Sequence, residues 1–141
     1  MKLDSGTIVL VYAVTACVFF VADLFWLGLA AKGLYQRQVG GLMRDQVNWI
    51  AAVAFYVIYI GGIQIFVMIP ALQNGTGIVH AAVMGGLLGF FAYSTFDLTG
   101  LALLRNWTLA ITMVDMAWGT ILTGSTVAIT LWLVRAVFKL G

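Results

Sequence analysis

The chain has 141 residues, of which 63% are hydrophobic and only 9% charged, with a formal net charge of +2. A soluble domain is about 25% charged and about half apolar, and a soluble chain this apolar would expose large adhesive patches. The composition therefore argues against a water-soluble fold, and the small charge excess gives nucleic acid no footing.

A helix needs about 20 apolar residues to cross about 30 Å of hydrocarbon. The first such segment runs from about Thr7 to Ala31 and holds Cys17, the single cysteine, so no internal disulfide forms. Cys17 reads as a small core residue. Val14-Thr15-Ala16-Cys17 faintly resembles a lipoprotein cleavage box, but the apolar run continues past it, so the segment is read as an uncleaved helix. A polar connection, residues 32–48, follows with Arg37, Arg44 and Asp45; its Leu34, Tyr35, Val39, Leu42 and Met43 suggest a stretch lying on the interface.

The second segment runs from about Trp49 to Leu72, and QNGTG at 73–77 is a turn. The third runs from about Ile78 to Leu104, Arg105-Asn106 turns the chain back, and the fourth runs from about Trp107 to Val134. Backbone groups in lipid must pair within their own segment, so these spans are helices. The expected fold is a single all-α domain over 1–141: an integral membrane four-helix bundle with both termini on one side. Helices 3 and 4 form a tight antiparallel hairpin. Lys32, Arg37, Arg44 and Arg105 fall on one side and Lys2, Arg135 and Lys139 on the other, a balance that leaves orientation open under the positive-inside rule.

Three carboxylates stand inside this apolar chain. Asp97 lies eight residues before Arg105 and Asp115 nine after Asn106. At 1.5 Å rise per residue each is about 12–14 Å from the turn, so the hairpin brings them to one depth. Asp23, nine residues before Lys32, repeats the arithmetic and places all three near the bilayer midplane. One charged Asp at a helix centre costs about 2.5–3.5 kcal/mol, and three, unpaired and additive, roughly 8–10 kcal/mol. No Lys, Arg or His falls at that depth. The aspartates therefore share protons, bind a cation or line a wet cavity, and at least one is expected to be neutral at pH 7.

The neighbours suit a site. Asp23 and Trp26 are one turn apart, as are Asp115 and Trp118, so D-x-x-W occurs on two helices of opposite direction. Tyr93 and Ser94 lie one turn before Asp97 and are placed to hydrogen-bond its carboxyl, and Thr112 stands likewise to Asp115. Tyr56 and Tyr59 on helix 2 fall at the right depth to donate a hydroxyl. Gly119, Thr123, Thr126 and Thr130 form a small, polar stripe on helix 4. Each has a plainer reading as well: aspartates bonded to hydroxyls can lock helices together, and tryptophans pack or anchor. Small-residue stripes, Gly85-x-x-x-Gly89 among them, let helices approach. Trp49 and Trp107 read as interface anchors, and His80 as an interfacial residue.

The chain has no P-loop, H-E-x-x-H, C-x-x-C or G-x-S-x-G, and no paired histidines, so haem, zinc, nucleotide and serine-hydrolase chemistry have no signature. The cofactor stays unknown; a divalent cation held by Asp23, Asp97 and Asp115 through oxygen ligands is one reading.

At D23-L-F-W-L-G28, and more fully at Y93-S-T-F-D-L-T-G100, R105-N-W and V114-D-M-A-W-G-T120, the chain resembles the small bacterial membrane proteins grouped as domain of unknown function 2177. The resemblance covers nearly the whole chain and implies a four-pass protein of the bacterial cytoplasmic (inner) membrane. It implies no activity, substrate or cofactor. Gly100 stands where the family pattern leads one to expect a more polar residue.

Three functions stay open, and enzyme or not is among the questions they leave. The first is a site protein binding or acting on a membrane-soluble, lipid-like ligand, or binding a cation. In it Asp23, Asp97 and Asp115 supply acid and base groups, and Trp26, Tyr93, Ser94, Thr112 and Trp118 contact the ligand. The second is an accessory subunit whose aspartates pair with a larger membrane complex, and the third a small proton-coupled transporter. Partners are the bilayer, with a homo-oligomer or a larger complex as further readings.

Overall fold

The computed structural model describes residues 3–26, 28 and 48–139. Four helices carry the described chain: α1 (Ser5–Trp26), α2 (Trp49–Asn74), α3 (Ile78–Leu103) and α4 (Leu109–Ala136). Each is long and apolar enough to cross a membrane, and no strand occurs among the described residues. The interfacial stretch expected within 32–48 lies almost wholly outside them.

Local chemistry sets the boundaries. The Asp4 carboxylate accepts the Thr7 N–H at 2.7 Å at the start of α1. Asn48 accepts from Ala51 N at 3.2 Å before α2, and Thr108 from Ile111 N at 3.1 Å before α4. Each cap satisfies an amide that the first helical turn leaves without a partner. Gly75 closes α2 in the left-handed conformation, at φ 63°, which costs a glycine nothing. Within α2, Gln64–Met68 widens into a π-turn and the Ile69 N–H reaches back to the Gln64 carbonyl. Pro70 follows immediately. Its ring lacks an N–H and collides with a carbonyl four residues back in a regular helix, and a wider turn relieves that collision.

The helices run up and down, with both ends of the described chain on the same side as the α2–α3 turn. Gln64 Nε2 donates to the Ile8 carbonyl near the start of α1, and Arg135 donates to the Ala71 carbonyl near the end of α2. The α3–α4 pair is the tightest. A Cβ at Gly85 would lie 2.6 Å from Val127 Cγ2, and one at Gly124 would lie 3.0 Å from the Ala82 carbonyl oxygen. A Cβ at Gly89 would strike the Gly119 carbonyl oxygen, and one at Gly119 the Tyr93 ring. These glycines let the backbones approach as membrane helices require, so Gly85-x-x-x-Gly89 is a packing face.

Fully buried Phe19, Ile63, Met68, Ile111, Val127 and Leu131 dominate the interior. The outer surface is apolar, with Ile50 86% and Val79 79% exposed, as a lipid-facing surface should be. Two expectations change here. Cys17 is exposed on the outer face of α1 rather than in the core. Trp107 turns inward: its ring sits 3.2 Å from a Cβ at Gly100 and meets Phe96 edge-on at 5.4 Å. Gly100 thus makes room for an indole, which a larger residue at that position would displace.

Candidate functional site

Asp23, half-buried, is held by two other helices. Tyr56 of α2 donates its hydroxyl to Oδ2 at 2.5 Å, and Trp118 of α4 donates Nε1–H to Oδ1 at 3.4 Å. The Trp118 ring stacks on Trp26 at 4.5 Å with planes 9° apart. The two D-x-x-W motifs therefore join across the bundle, since the indole of the second serves the carboxyl of the first. Tyr56 also meets Phe19 edge-on at 5.8 Å.

Asp97 is 0% exposed, and neither of its oxygens has a hydrogen-bond partner of ordinary geometry. The polar group facing it is the Asp115 carboxyl, close enough for direct interaction. The hairpin thus brings these two aspartates together. Asp115 is half-buried and lines a cleft of about 440 Å³ with Phe55, Ala92, Tyr93 and Phe96. Four apolar or aromatic side chains and one carboxyl give this cleft a greasy wall with a single acidic point.

Tyr93 links the two groups. Its ring lies over Gly119, edge-on to Tyr59 at 6.2 Å, and it is within electrostatic reach of both Asp23 and Asp115. Tyr59 shares a 2.7 Å hydrogen bond with Thr123 and stacks on Phe55 at 5.5 Å. Tyr56 thus donates to an aspartate as its depth suggested, whereas Tyr59 turns to a threonine.

Several neighbours take other partners than expected. Thr112 does not reach Asp115 but donates to the Thr108 carbonyl at 2.9 Å, the local bond a helical threonine makes most readily. The buried Ser94 hydroxyl has no partner, so it does not serve Asp97. Tyr93 leans across to α4 instead of along α3, because Gly119 leaves a space that its ring fills. The equal depth of Asp97 and Asp115 holds, each six residues inside its helix from the hairpin end. That places them about 9 Å in at 1.5 Å per residue, nearer the hairpin end than the helix midpoints. The difference arises because the connection spans Leu104 to Thr108 rather than two residues. Among the described residues no group of three His, Cys, Asp or Glu side chains has a metal-holding arrangement. Asp23 is engaged by Tyr56 and Trp118. Phe55 and Phe96 carried no signal among nine phenylalanines; the fold alone sets them on the cleft.

Four apolar helices with their glycine-packed hairpin define a polytopic integral membrane protein. Within that class, the chain belongs to the family described as Predicted membrane protein (DUF2177), whose model matches residues 8–132. No curated protein and no solved structure matches the chain.

Proposed function

We propose that this protein binds a membrane-soluble amphiphile in the cleft formed by Phe55, Ala92, Tyr93, Phe96 and Asp115. The amphiphile presents a hydrogen-bond-donating or cationic head to the Asp115 carboxyl. The observation that carries the reading is Asp115 itself: a carboxyl on the wall of an apolar cleft, backed by a second, buried carboxyl on Asp97. Pockets for small molecules pair apolar walls with a few placed polar groups, and the Asp115 carboxyl is such a group on an otherwise apolar and aromatic wall. The aromatic lining suits an apolar body such as an isoprenoid, a quinone or an acyl chain. Adjacent carboxyls of unequal surroundings also suit proton exchange with the bound head. Asp23, with Tyr56, Trp26 and Trp118, forms the second half of the same site through Tyr93. The family resemblance supports a bacterial cytoplasmic membrane as its location.

Native mass spectrometry of the protein released from lipid nanodiscs tests this. The wild type is expected to carry a defined extra mass, and Asp115→Asn to lose it while keeping wild-type helicity. Should Asp115→Asn fail to fold, Phe96→Ala, which widens the cleft from its rim, is expected to weaken retention instead. A ligand mass held equally by all three proteins would overturn the reading.

A further inference from the structure

Beyond the cleft, a second polar region runs through the bundle toward the end that carries both termini. The hydrogen bonds Tyr59–Thr123 and Arg135–Ala71 both join residues 64 apart on the parallel helices α2 and α4. The same offset sets Gln64 level with Ala128, midway between Thr126 and Thr130. Gln64 is 4% exposed, and its π-turn touches α1, α3 and α4. Its Nε2 donates to the Ile8 carbonyl at 2.8 Å, but its buried Oε1 has no partner. The Thr126 and Thr130 hydroxyls, both 0% exposed, are likewise unpartnered.

The two threonines depart from the habit of four others in these helices. Thr15, Thr95, Thr112 and Thr120 each donate to the carbonyl four residues back, at 2.7–2.9 Å. That bond is the default for a helical threonine, and Thr126 and Thr130 forgo it. Three unpartnered oxygens from two helices at one level are a costly arrangement in a dry interior. A buried water satisfies about three such groups at once.

We infer that Gln64, Thr126 and Thr130 hold ordered water inside the bundle. This water continues, through Thr123 and Tyr59, the polar cluster around Tyr93 and the aspartates. The site is a hydrogen-bonded branch that carries polarity from the hairpin end to within a turn or two of the start of α1. It stands independently of what occupies the cleft.

A structure of the whole protein in nanodiscs, resolved finely enough to show water, tests it directly. Bridging density between Gln64 Oε1 and the Thr126 or Thr130 hydroxyl is expected. Dry contact, with both hydroxyls turned to their own helix carbonyls, would overturn it. Thermal unfolding gives an independent check. Thr126→Val, which keeps the shape and removes the hydroxyl, is expected to lower the unfolding midpoint, and Thr126→Ser to restore much of it. An unchanged or raised midpoint in Thr126→Val would contradict bound water, because removing an orphaned hydroxyl from a dry core relieves a cost. The ligand mass is expected to persist in these variants, which separates failure here from failure of the cleft.

Discussion

The two ends of the bundle are built from different materials. At the terminal end, Ile63, Met68, Leu131 and Val134 pack aliphatic side chains around Gln64, Thr126 and Thr130. At the hairpin end, carboxyls, tyrosines and stacked indoles take their place. In lipid, aliphatic burial between helices gains little, because the surrounding chains are as apolar as leucine. Close backbone approach and hydrogen bonds must then hold the helices. At the terminal end the buried polar groups are neutral ones, the Gln64 amide and the Thr126 and Thr130 hydroxyls. The hairpin end gathers ionisable groups, the carboxyls with their tyrosines, and so it is the end read as functional.

The largest expected effect lies where the two ends meet. Gly89→Ala drives a Cβ into the Gly119 carbonyl oxygen, a backbone atom that cannot yield without parting α3 from α4. Overpacking of this kind costs about 1–3 kcal/mol or more, so a marked fall in the unfolding midpoint in nanodiscs is expected. Gly86→Ala is the control: its Cβ would sit 3.6 Å from Thr120, an ordinary contact, and should be close to neutral. Equal effects from the two would remove the glycine contact as the tie between the ends.

Next in size, Tyr56→Phe deletes the hydroxyl donated to Asp23. An intramolecular hydrogen bond contributes about 0.5–1.5 kcal/mol, and an acceptor left buried without its donor costs about 1–3 kcal/mol; this bond is part-buried, so a loss of about 1–2 kcal/mol is expected. Chemical denaturation in mild detergent reads it. Trp118→Phe should cost less. It removes a long 3.4 Å bond to Asp23 but keeps an aromatic ring against Trp26, so a loss below about 1 kcal/mol is expected. If Trp118→Phe proved the more damaging, stacking rather than the carboxyl would organise the hairpin end.

The smallest effect belongs to the terminal end and depends on pH. The Thr7 backbone N–H holds the exposed Asp4 carboxyl below the usual carboxylate range. A lowered value means that the cap's contribution is present above the ordinary carboxylate value. It fades as the pH falls through the lowered one. Asp4→Ala should therefore fray the first turn of α1 slightly at neutral pH and change nothing in strong acid. Amide hydrogen exchange over residues 5–8 measures this.

Much of the architecture is legible in the sequence. Helix rise is fixed, so counting from the Arg105–Asn106 turn was enough to bring Asp97 and Asp115 to one depth. Chain length and the QNGTG turn likewise set the number of spans. Rotation about each helix axis was not legible. Tyr93, Ser94 and Thr112 were placed near carboxyls by sequence spacing, yet their partners are set by where neighbouring helices leave space. Tyr93 follows the gap at Gly119, and Thr112 falls back on its own helix. The join between Asp23 and Trp118 crosses elements 95 residues apart, and no local spacing encodes it. The π-turn had one visible cue, Pro70, whose missing N–H forbids a regular helix just where Gln64 needs to turn inward.

The central claim is that the cleft beside Asp115 holds a lipid-like molecule. A photoreactive benzoylphenylalanine in place of Phe96, activated in native membranes, tests it most directly. The account predicts a crosslinked small amphiphile of defined mass that disappears when Asp115→Asn is added. Crosslinking to a second protein, or to bulk phospholipid regardless of Asp115, would contradict it.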